Sequence, residues 1–79
     1  MNKAIIEKMS NEELIKFSKE IIRPIEFISD ETKEIVLSIF GIKTKDFVEK
    51  LIPDLNKTVI KELTKRLDNT IDYTLRNLN

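Results

Sequence analysis

The stretch SNEELIKFSKEI, residues 10–21, decides the fold class of this chain. Ser10 is followed three residues later by Glu13, the spacing of a capping box, in which each side chain bonds the other residue's backbone amide at a helix start. Apolar residues then recur every three or four positions, which places them on one face of a helix. The stretch therefore predicts an amphipathic helix that begins at Ser10. The predicted apolar face comprises Leu14, Phe17, Ile21, Ile25 and Ile28.

Pro24 interrupts this apolar row without changing its phase. Proline has no backbone amide to donate, and it disfavours the helical conformation of the preceding residue, here Arg23. The sequence therefore predicts either the end of the helix near Ile22 or a sharp kink at Pro24. The unbroken phase of the apolar row favours the kink.

A second helix start follows at Ser29, which is a preferred capping residue and precedes two acidic residues that suit the positive end of a helix dipole. Residues 35–40 are apolar on most sides, which predicts a central helix covered by its neighbours. Gly41 stands where a left-handed residue is needed to end that helix. Ile42 is then placed to contact Leu37, as in a Schellman motif.

The remaining chain predicts two helices. Thr44 is expected to cap a short helix that Pro53 ends. A long amphipathic helix is expected to start at Asp54 or Asn56, and its roughly 20 residues would span about 30 Å, so that its C-terminal half extends beyond the core and requires a partner. The inner face of the short helix comprises Phe47, Val48, Leu51 and Ile52. The apolar residues of the long helix are Leu55, Val59, Ile60, Leu63, Leu67, Ile71, Leu75 and Leu78.

These elements predict an all-α fold, a small bundle of four to five helices with a long C-terminal amphipathic helix. The 79 residues suffice for one hydrophobic core, so residues 1–79 are expected to form a single helical domain. The sequence contains no alternating strand pattern, internal repeat or low-complexity segment.

The composition argues against catalysis. The chain has no His and no Cys, and a single Gly, so it lacks the commonest acid/base, the thiol nucleophile, the usual zinc ligands and a glycine-rich phosphate loop. Two carboxylate pairs, at residues 12–13 and 30–31, are explained by their positions at helix starts. We therefore expect a protein that is not an enzyme and that uses no metal and no cofactor.

Charge and hydropathy limit the classes of partner that the sequence predicts. Fourteen basic and fourteen acidic residues give a net charge of zero, which is not the balance of a dedicated phosphate-backbone binder. The apolar runs are far shorter than the roughly 18 residues that cross a bilayer, and residues 1–8 do not form a signal peptide, so we expect a cytoplasmic protein with no membrane contact. The high content of Ile, Lys and Asn, which have A/T-rich codons, suggests a bacterial or phage origin.

A basic row on the last predicted helix offers a nucleic-acid interface. Lys57, Lys61 and Lys65 repeat every four residues, and Arg66 lies beside them. The two predicted helices at residues 44–52 and 56–67 resemble a helix-turn-helix, although acidic residues share both segments. A solvated lysine face with no ligand is the alternative interpretation.

Several apolar residues fall outside the predicted faces. A fold of this size has little room to bury them all, so they indicate either a partner or ordinary exposed side chains. These residues are Ile5, Ile6, Ile15, Ile22, Phe27, Ile42 and Tyr73.

Residues 14–20, LIKFSKE, resemble the first long helix of the AsiA-type anti-sigma factors of T-even-like phages. The hydrophobic spacing of residues 47–78 is also similar to the C-terminal helices of that family, including Leu63, Arg76 and Leu78. The resemblance implies an all-α regulator that binds the promoter-recognising C-terminal region of a bacterial sigma factor and that pairs with itself through the same face when free. The positions that match the family's contact helix are Leu14, Ile15, Lys16 and Phe17.

The sequence thus favours a small protein-binding regulator or inhibitor, of phage or mobile-element type, that docks an apolar helical face on a host macromolecular machine. An anti-sigma factor, with RNA polymerase sigma factor as partner, and an anti-defence protein are its concrete versions, and a homodimer is expected in the free state. The alternative is a helix-turn-helix-like DNA-binding regulator that uses the basic face of the last helix. A buried core helix would give residues 14–17 the same apolar pattern as an interface.

Overall fold

The computed structural model describes the backbone of residues 1–44 and 48–77 and the side chains of residues 1–44 and 48–70. Within these residues the chain is all-α, as predicted, and contains no strand. Four α-helices and one 3₁₀ turn match the predicted number of helices only roughly. The helices are α1 (Lys3–Glu7), α2 (Asn11–Ile21), α3 (Asp30–Phe40) and α4 (Val48–Asn77), and the 3₁₀ turn spans Ile25–Phe27.

Helix α1 was not predicted from the sequence, because five residues are too few to show a helical period. Asn2 caps it by accepting a hydrogen bond from the Ala4 amide at 3.2 Å, and the Asn2 amide donates to the Ile39 carbonyl of α3 at 2.6 Å. Ile6 is buried in the core and Ile5 packs against it. Because a helix of this length is unstable alone in water, α1 depends on these tertiary contacts.

Helix α2 begins as predicted. The Ser10 amide donates to Glu13 Oε1 and the Glu13 amide donates to Ser10 Oγ, each at 3.1 Å, so both halves of the capping box are present. The side chains of Leu14, Phe17 and Ile21 are buried in the core. The predicted inner face of α2 is therefore confirmed.

The kink favoured at Pro24 is wrong, because α2 ends at Ile21. Pro24 has an extended backbone, with φ −53° and ψ 144°, and the 3₁₀ turn follows it. Ile25 packs against the core and Ile28 is buried in spite of this break. Residues three apart lie on one side of a 3₁₀ turn, so the apolar row keeps its direction without a continuous helix.

Helix α3 starts and ends as predicted. Ser29 Oγ accepts the Thr32 amide at 3.2 Å, and Gly41 ends the helix with a left-handed φ of 68°. The Ile42 amide donates to the Leu37 carbonyl at 3.0 Å, which is the long hydrogen bond of a Schellman motif. Between these ends, Leu37 and its neighbours Val36 and Ile39 are buried, so α3 is the expected central helix.

The prediction that Pro53 ends a short helix is wrong, because α4 continues through it from Val48 to Asn77. The described part of α4 begins at Val48, four residues after the expected cap Thr44. The expected inner residue Phe47 lies outside the described residues. Pro53 is exposed, and its missing amide deprives only the exposed Glu49 of a partner for its carbonyl.

Packing explains why the helix survives the proline. Val48, Leu55 and Val59 lie on both sides of Pro53 and are all buried on one face of α4. A proline in a helix interior costs about 3 kcal/mol, whereas full burial of a single aliphatic side chain contributes about 1.5–3 kcal/mol. Two or three such side chains, held in register by the helix, outweigh the proline.

Helix α4 extends beyond the core, and its 30 residues span about 45 Å of a molecule that measures 52 × 22 × 18 Å. Leu63 packs against the core, but every described side chain from Leu67 to Thr70 is exposed. Of the apolar residues that the sequence placed on the long helix, Ile60 and Leu67 are also exposed. The side chains of Ile71, Tyr73, Leu75 and Leu78 lie outside the described residues.

Adjacent isoleucines at the end of α2 test the position of the core. Ile21 is 1% exposed and Ile22 is 67% exposed. We expect Ile21→Ala to lower the free energy of unfolding by about 2–5 kcal/mol, because it leaves a cavity, and Ile22→Ala to change it by at most about 0.5 kcal/mol. Urea unfolding followed by circular dichroism measures both. Equal losses for the two variants would show that α2 packs differently.

Candidate functional site

The four positions that match the contact helix of the anti-sigma family do not share one face of α2. Leu14 and Phe17 are buried in the core, whereas Ile15 and Lys16 are exposed. Helix geometry explains the division, because residues three apart point to one side and the two residues between them point elsewhere. Ile15 and Lys16 are therefore the two positions that a partner can contact in this conformation.

Ile15 lies on the outward side of α2. Ile22 follows seven residues later, which places it on the same face and about 10 Å further along the helix axis. The exposed fractions are 44% for Ile15 and 67% for Ile22, and Phe27 in the following 3₁₀ turn is 68% exposed. We call these three residues the α2 surface.

The α2 surface was present among the apolar residues that the sequence left outside the predicted faces. Of the others, Ile6 is buried, and Ile5 and Ile42 pack partly buried against the core. Tyr73 lies outside the described side chains. A position outside the predicted apolar faces thus predicted exposure correctly at Ile15, Ile22 and Phe27. It did so wrongly at Ile6, because helix α1 had not been predicted.

A groove between α2 and α3 lies on another side of α2. Its apolar lining comes from Met9, Phe17 and Ile35, and Lys16 also borders it. Three carboxylates complete the rim, Glu13, Glu20 and Glu31, together with the hydroxyls of Ser29 and Thr32. Sequence reasoning missed this groove because it depends on how α3 packs against α2, which no local pattern specifies.

Two of the groove carboxylates have structural roles. The hydrogen bond from the Ser10 backbone amide is the main reason that the pKa of Glu13 lies below its ordinary value of 4.5, and the Ser10 hydroxyl adds to this effect. The Ser29 backbone amide donates to Glu20 Oε1 at 2.8 Å and is the main reason that the pKa of Glu20 is also lowered. Both carboxylates are therefore ionised at neutral pH.

Glu20 joins the end of α2 to the start of α3. Besides the Ser29 amide, it faces Arg23, whose Nη1 lies 3.4 Å from Glu20 Oε2. Partial burial opposes the lowering of the Glu20 pKa, and the Ser29 hydroxyl and the charges of Arg23 and Lys16 reinforce it. This carboxylate thus closes the loop that contains Pro24.

The predicted basic interface on α4 is only partly assembled. Lys57, Lys61 and Lys65 are exposed and stand in one row, one helical turn apart, which we call the lysine row. Arg66 does not extend this row into solvent, because its guanidinium group is engaged in contacts within the protein. Three of the four predicted residues therefore remain available to phosphate groups.

Arg66 instead fastens α4 to the N-terminal part of the chain. Its Nη1 donates to Asn11 Oδ1 at 3.0 Å, and its Nη2 donates to the carbonyls of Glu7 at 3.1 Å and Ile6 at 3.4 Å. Its Nε donates to Glu62 Oε1 at 3.0 Å. Carbonyls at the C-terminal end of a helix lack partners within that helix and attract positive charge, so Arg66 stabilises the end of α1.

Among residues 1–44 and 48–70, no group of three Asp or Glu side chains is placed so that it could hold one metal ion. None of the helices in the described part of the chain combines the length and the apolar composition that crossing a bilayer requires. The described surfaces present exposed apolar side chains, carboxylates and lysines.

The acid dependence of stability tests the role of Glu20. Its pKa is lower in the folded than in the unfolded protein, so its ionisation stabilises the fold above pH 4.5, and this contribution is lost as the pH falls through the folded value. We expect Glu20→Gln to lower stability at neutral pH and to weaken the acid-induced loss. Urea unfolding at a series of pH values measures this.

The control for this variant is Glu26→Gln, since Glu26 is exposed in the 3₁₀ turn. It makes the same chemical change a few residues away and should leave the stability profile close to that of the unsubstituted protein. A Glu20→Gln profile that matches the control would mean that the bond to Ser29 does not hold α3 in place.

A scan against protein-family models and searches of curated proteins and of solved structures found no match to this chain.

Proposed function

We propose that this protein is a non-enzymatic protein-binding regulator that docks the α2 surface on a larger macromolecular machine and inhibits it by occupancy. The observation that carries the proposal is the exposure of Ile15 and Ile22 on one helix face, with Phe27 exposed just beyond. Removing an aliphatic side chain of this size from water contributes about 1.5–3 kcal/mol, so burying this surface against a partner favours association.

The α2 surface is preorganised for binding. The capping box fixes the start of α2, and Leu14, Phe17 and Ile21 anchor its opposite side in the core. Binding through this surface therefore does not require the ordering of a flexible segment, and the entropic cost of that ordering is avoided. Presenting an amphipathic helix to a hydrophobic groove is a common mode of protein recognition.

A bacterial sigma factor is the first partner to test. The segment that resembles the contact helix of the AsiA-type anti-sigma factors lies in α2, and Ile15 belongs both to that segment and to the α2 surface. Lys16 is exposed beside Ile15 and supplies a charge at the edge of such an interface. In this proposal the protein acts in the cytoplasm on the transcription machinery, and an anti-defence protein of the same docking type is the other version.

A double substitution on α2 tests this function. We expect Ile15→Glu with Ile22→Glu to weaken binding to the isolated sigma factor by at least about a hundredfold, since charges replace two isoleucines that the complex would bury. Isothermal titration calorimetry with the purified partner measures the affinity. Circular dichroism and urea unfolding should show an intact fold, because both residues are exposed.

The matched control is the double substitution Ile60→Glu with Leu67→Glu, which introduces the same charges at exposed positions of α4. It should leave sigma-factor binding unchanged. Equal affinities for the α2 and α4 variants, or no binding by the unsubstituted protein, would reject the proposed partner and interface.

The lysine row supports a second candidate, a DNA-binding regulator that uses the basic side of α4. The helix-turn-helix expected from residues 44–52 and 56–67 is wrong, because residues 48–52 and 56–67 belong to one continuous helix. Its three exposed lysines stand one turn apart on one side of α4, where they can contact phosphate groups of a nucleic acid. Because Arg66 bonds within the protein, the row has three of the four cations that the sequence predicted for it. Binding by this row would be dominated by counterion release and would fall steeply with salt concentration.

Replacing all three lysines of the row by Glu tests this candidate. If the row contacts phosphates, duplex DNA affinity should collapse, and the slope of log affinity against log salt for the unsubstituted protein should be about −0.9 for each phosphate that the row neutralises. Fluorescence anisotropy with labelled DNA measures both. Substituting Lys3, Lys8 and Lys19 instead makes the same change of net charge elsewhere and is the control. Salt-insensitive or absent binding would remove the DNA-binding candidate.

A further inference from the structure

The groove between α2 and α3 is large enough to hold part of a binding partner. Its volume is about 430 Å³, within the range of about 300–1,000 Å³ that ligand sites occupy. Helix α2 lines it from Glu13 to Glu20, which is about 10 Å along the helix axis, and Met9 extends the lining beyond the helix start. The rim residues Glu13 and Lys16 are exposed, so the groove opens to solvent. An open groove of this length accommodates about three to five residues of an extended peptide.

The base of the groove is apolar. Phe17 lies beneath it at 5% exposure, and Met9 and Ile35 pack partly buried against the core and line the groove with the rest of their surface. An aliphatic side chain that enters the groove is removed from water, and the flexible thioether of Met9 adapts to its shape. The base therefore favours a ligand with an apolar group at its centre.

The rim of the groove is acidic. Three of its side chains are carboxylates, Glu13, Glu20 and Glu31, and Lys16 is the one basic side chain among the described residues that line it. The backbone amides that bind Glu13 and Glu20 carry no net charge, so both carboxylates keep their negative charge. Arg23 offsets Glu20 from outside the groove, whereas Glu13 and Glu31 form no ion pair in the part of the chain that the structure describes. The rim therefore attracts a cation and repels an anion.

The carboxylates of α2 stand at the two ends of the groove. Glu13 lies in the first turn of α2, and Glu20, seven residues later, lies in the last turn, where its bond to Ser29 holds the start of α3. Side chains at alternate positions of an extended peptide point to the same face, with about 7 Å between them. Two basic side chains with an apolar one midway between them therefore match the charged ends and the apolar base.

We propose that this groove binds an extended segment of a partner protein in which two lysines or arginines flank an apolar residue at alternate positions. The apolar side chain packs on Met9 and Ile35, and the cations lie beside the carboxylates of the rim. Glu13 and Glu20 stand about 140–160° around α2 from Ile15, so the groove is separate from the α2 surface. The binding of such a segment does not depend on the docking function proposed above.

Peptide titrations test the class of ligand. The probe is the blocked pentapeptide Lys-Ser-Leu-Ser-Lys, added to isotope-labelled protein and followed by two-dimensional NMR. We expect it to shift the amide signals of residues 13–20 and 29–35, and a matched peptide with glutamates in place of the lysines to bind at least about tenfold more weakly. Equal affinities for the two peptides, no binding by the lysine peptide, or shifts confined to other parts of the protein would overturn the proposal.

Two variants that each remove one charge should act in opposite directions. Glu31→Gln should weaken binding of the lysine peptide by about threefold, because it removes a carboxylate that has no ion-pair partner. Lys16→Gln should strengthen binding by about threefold, because it removes the positive charge of the groove itself. Glu26→Gln, at an exposed position outside the groove, is the control and should leave the affinity unchanged.

The opposite signs separate a binding effect from structural damage, because a damaged fold only weakens binding. A Lys16→Gln variant that does not bind the lysine peptide more tightly, or a Glu31→Gln variant that does not bind it more weakly, would reject the acidic rim as the determinant and overturn the proposal.

A small amine and an α2 variant distinguish the groove from other sites. Hexylammonium supplies a cation and an apolar chain without a peptide backbone and should bind at least about tenfold more weakly than the lysine peptide. Equal affinities would assign the groove to small amines and reject a protein segment. Ile15→Gln with Ile22→Gln leaves the net charge unchanged and should not alter the peptide affinity, and lost binding would move the peptide to the α2 surface and contradict the proposal. Failure to bind a sigma factor has no bearing on these outcomes.

Discussion

The continuous apolar face of α4 is the constraint on which the rest of the structure depends. Val48, Leu55 and Val59 are buried along it, and α1, α2 and α3 all contact this helix. If α4 broke at Pro53, the part carrying Val48 would lose its fixed register with the part carrying Val59. Burial against three other helices therefore keeps the proline inside α4, and it positions every surface described above.

Arg66 marks the place where this packing ends. Its guanidinium group binds carbonyls at the end of α1 and Asn11 at the start of α2, so one side chain joins three helices. The next residue, Leu67, is already exposed. A residue that the sequence suggested for binding phosphate thus has a structural role, and the described side chains beyond it, at residues 67–70, are exposed. The same separation holds on α2, where residues inside the core alternate with residues that face solvent.

Local signals in the sequence predicted helix ends correctly, because they involve backbone groups only three to five residues apart. Ser10 with Glu13 and Leu37 with Ile42 are such cases. The two prolines were misjudged because the effect of a proline depends on packing partners that lie far away in the chain. Pro24 has a 3₁₀ turn after it that preserves the apolar row, and Pro53 has buried residues on both sides.

The candidate surfaces show the same limit. The sequence identified Ile15, Ile22 and Phe27 as apolar residues outside the predicted faces, and their exposure follows from the direction of the α2 core face. It could not decide whether the apolar face with Leu14 and Phe17 packs in the core or contacts a partner, since an apolar helix face has the same pattern in both roles. The groove between α2 and α3 depends on a contact between helices, and no short motif encodes such a contact.

The charge distribution determines how the surface of this protein can recognise a partner. With a net charge of zero, the chain has no overall charge to steer a partner from a distance. Charges that are exposed are screened beyond about 8 Å at physiological salt concentration, so only charges directly beside a contact act on it. One such charge is Lys19, which is exposed and stands one turn after Ile15 on the same side of α2. In such an arrangement, apolar burial supplies the affinity, and the neighbouring charges determine direction and register.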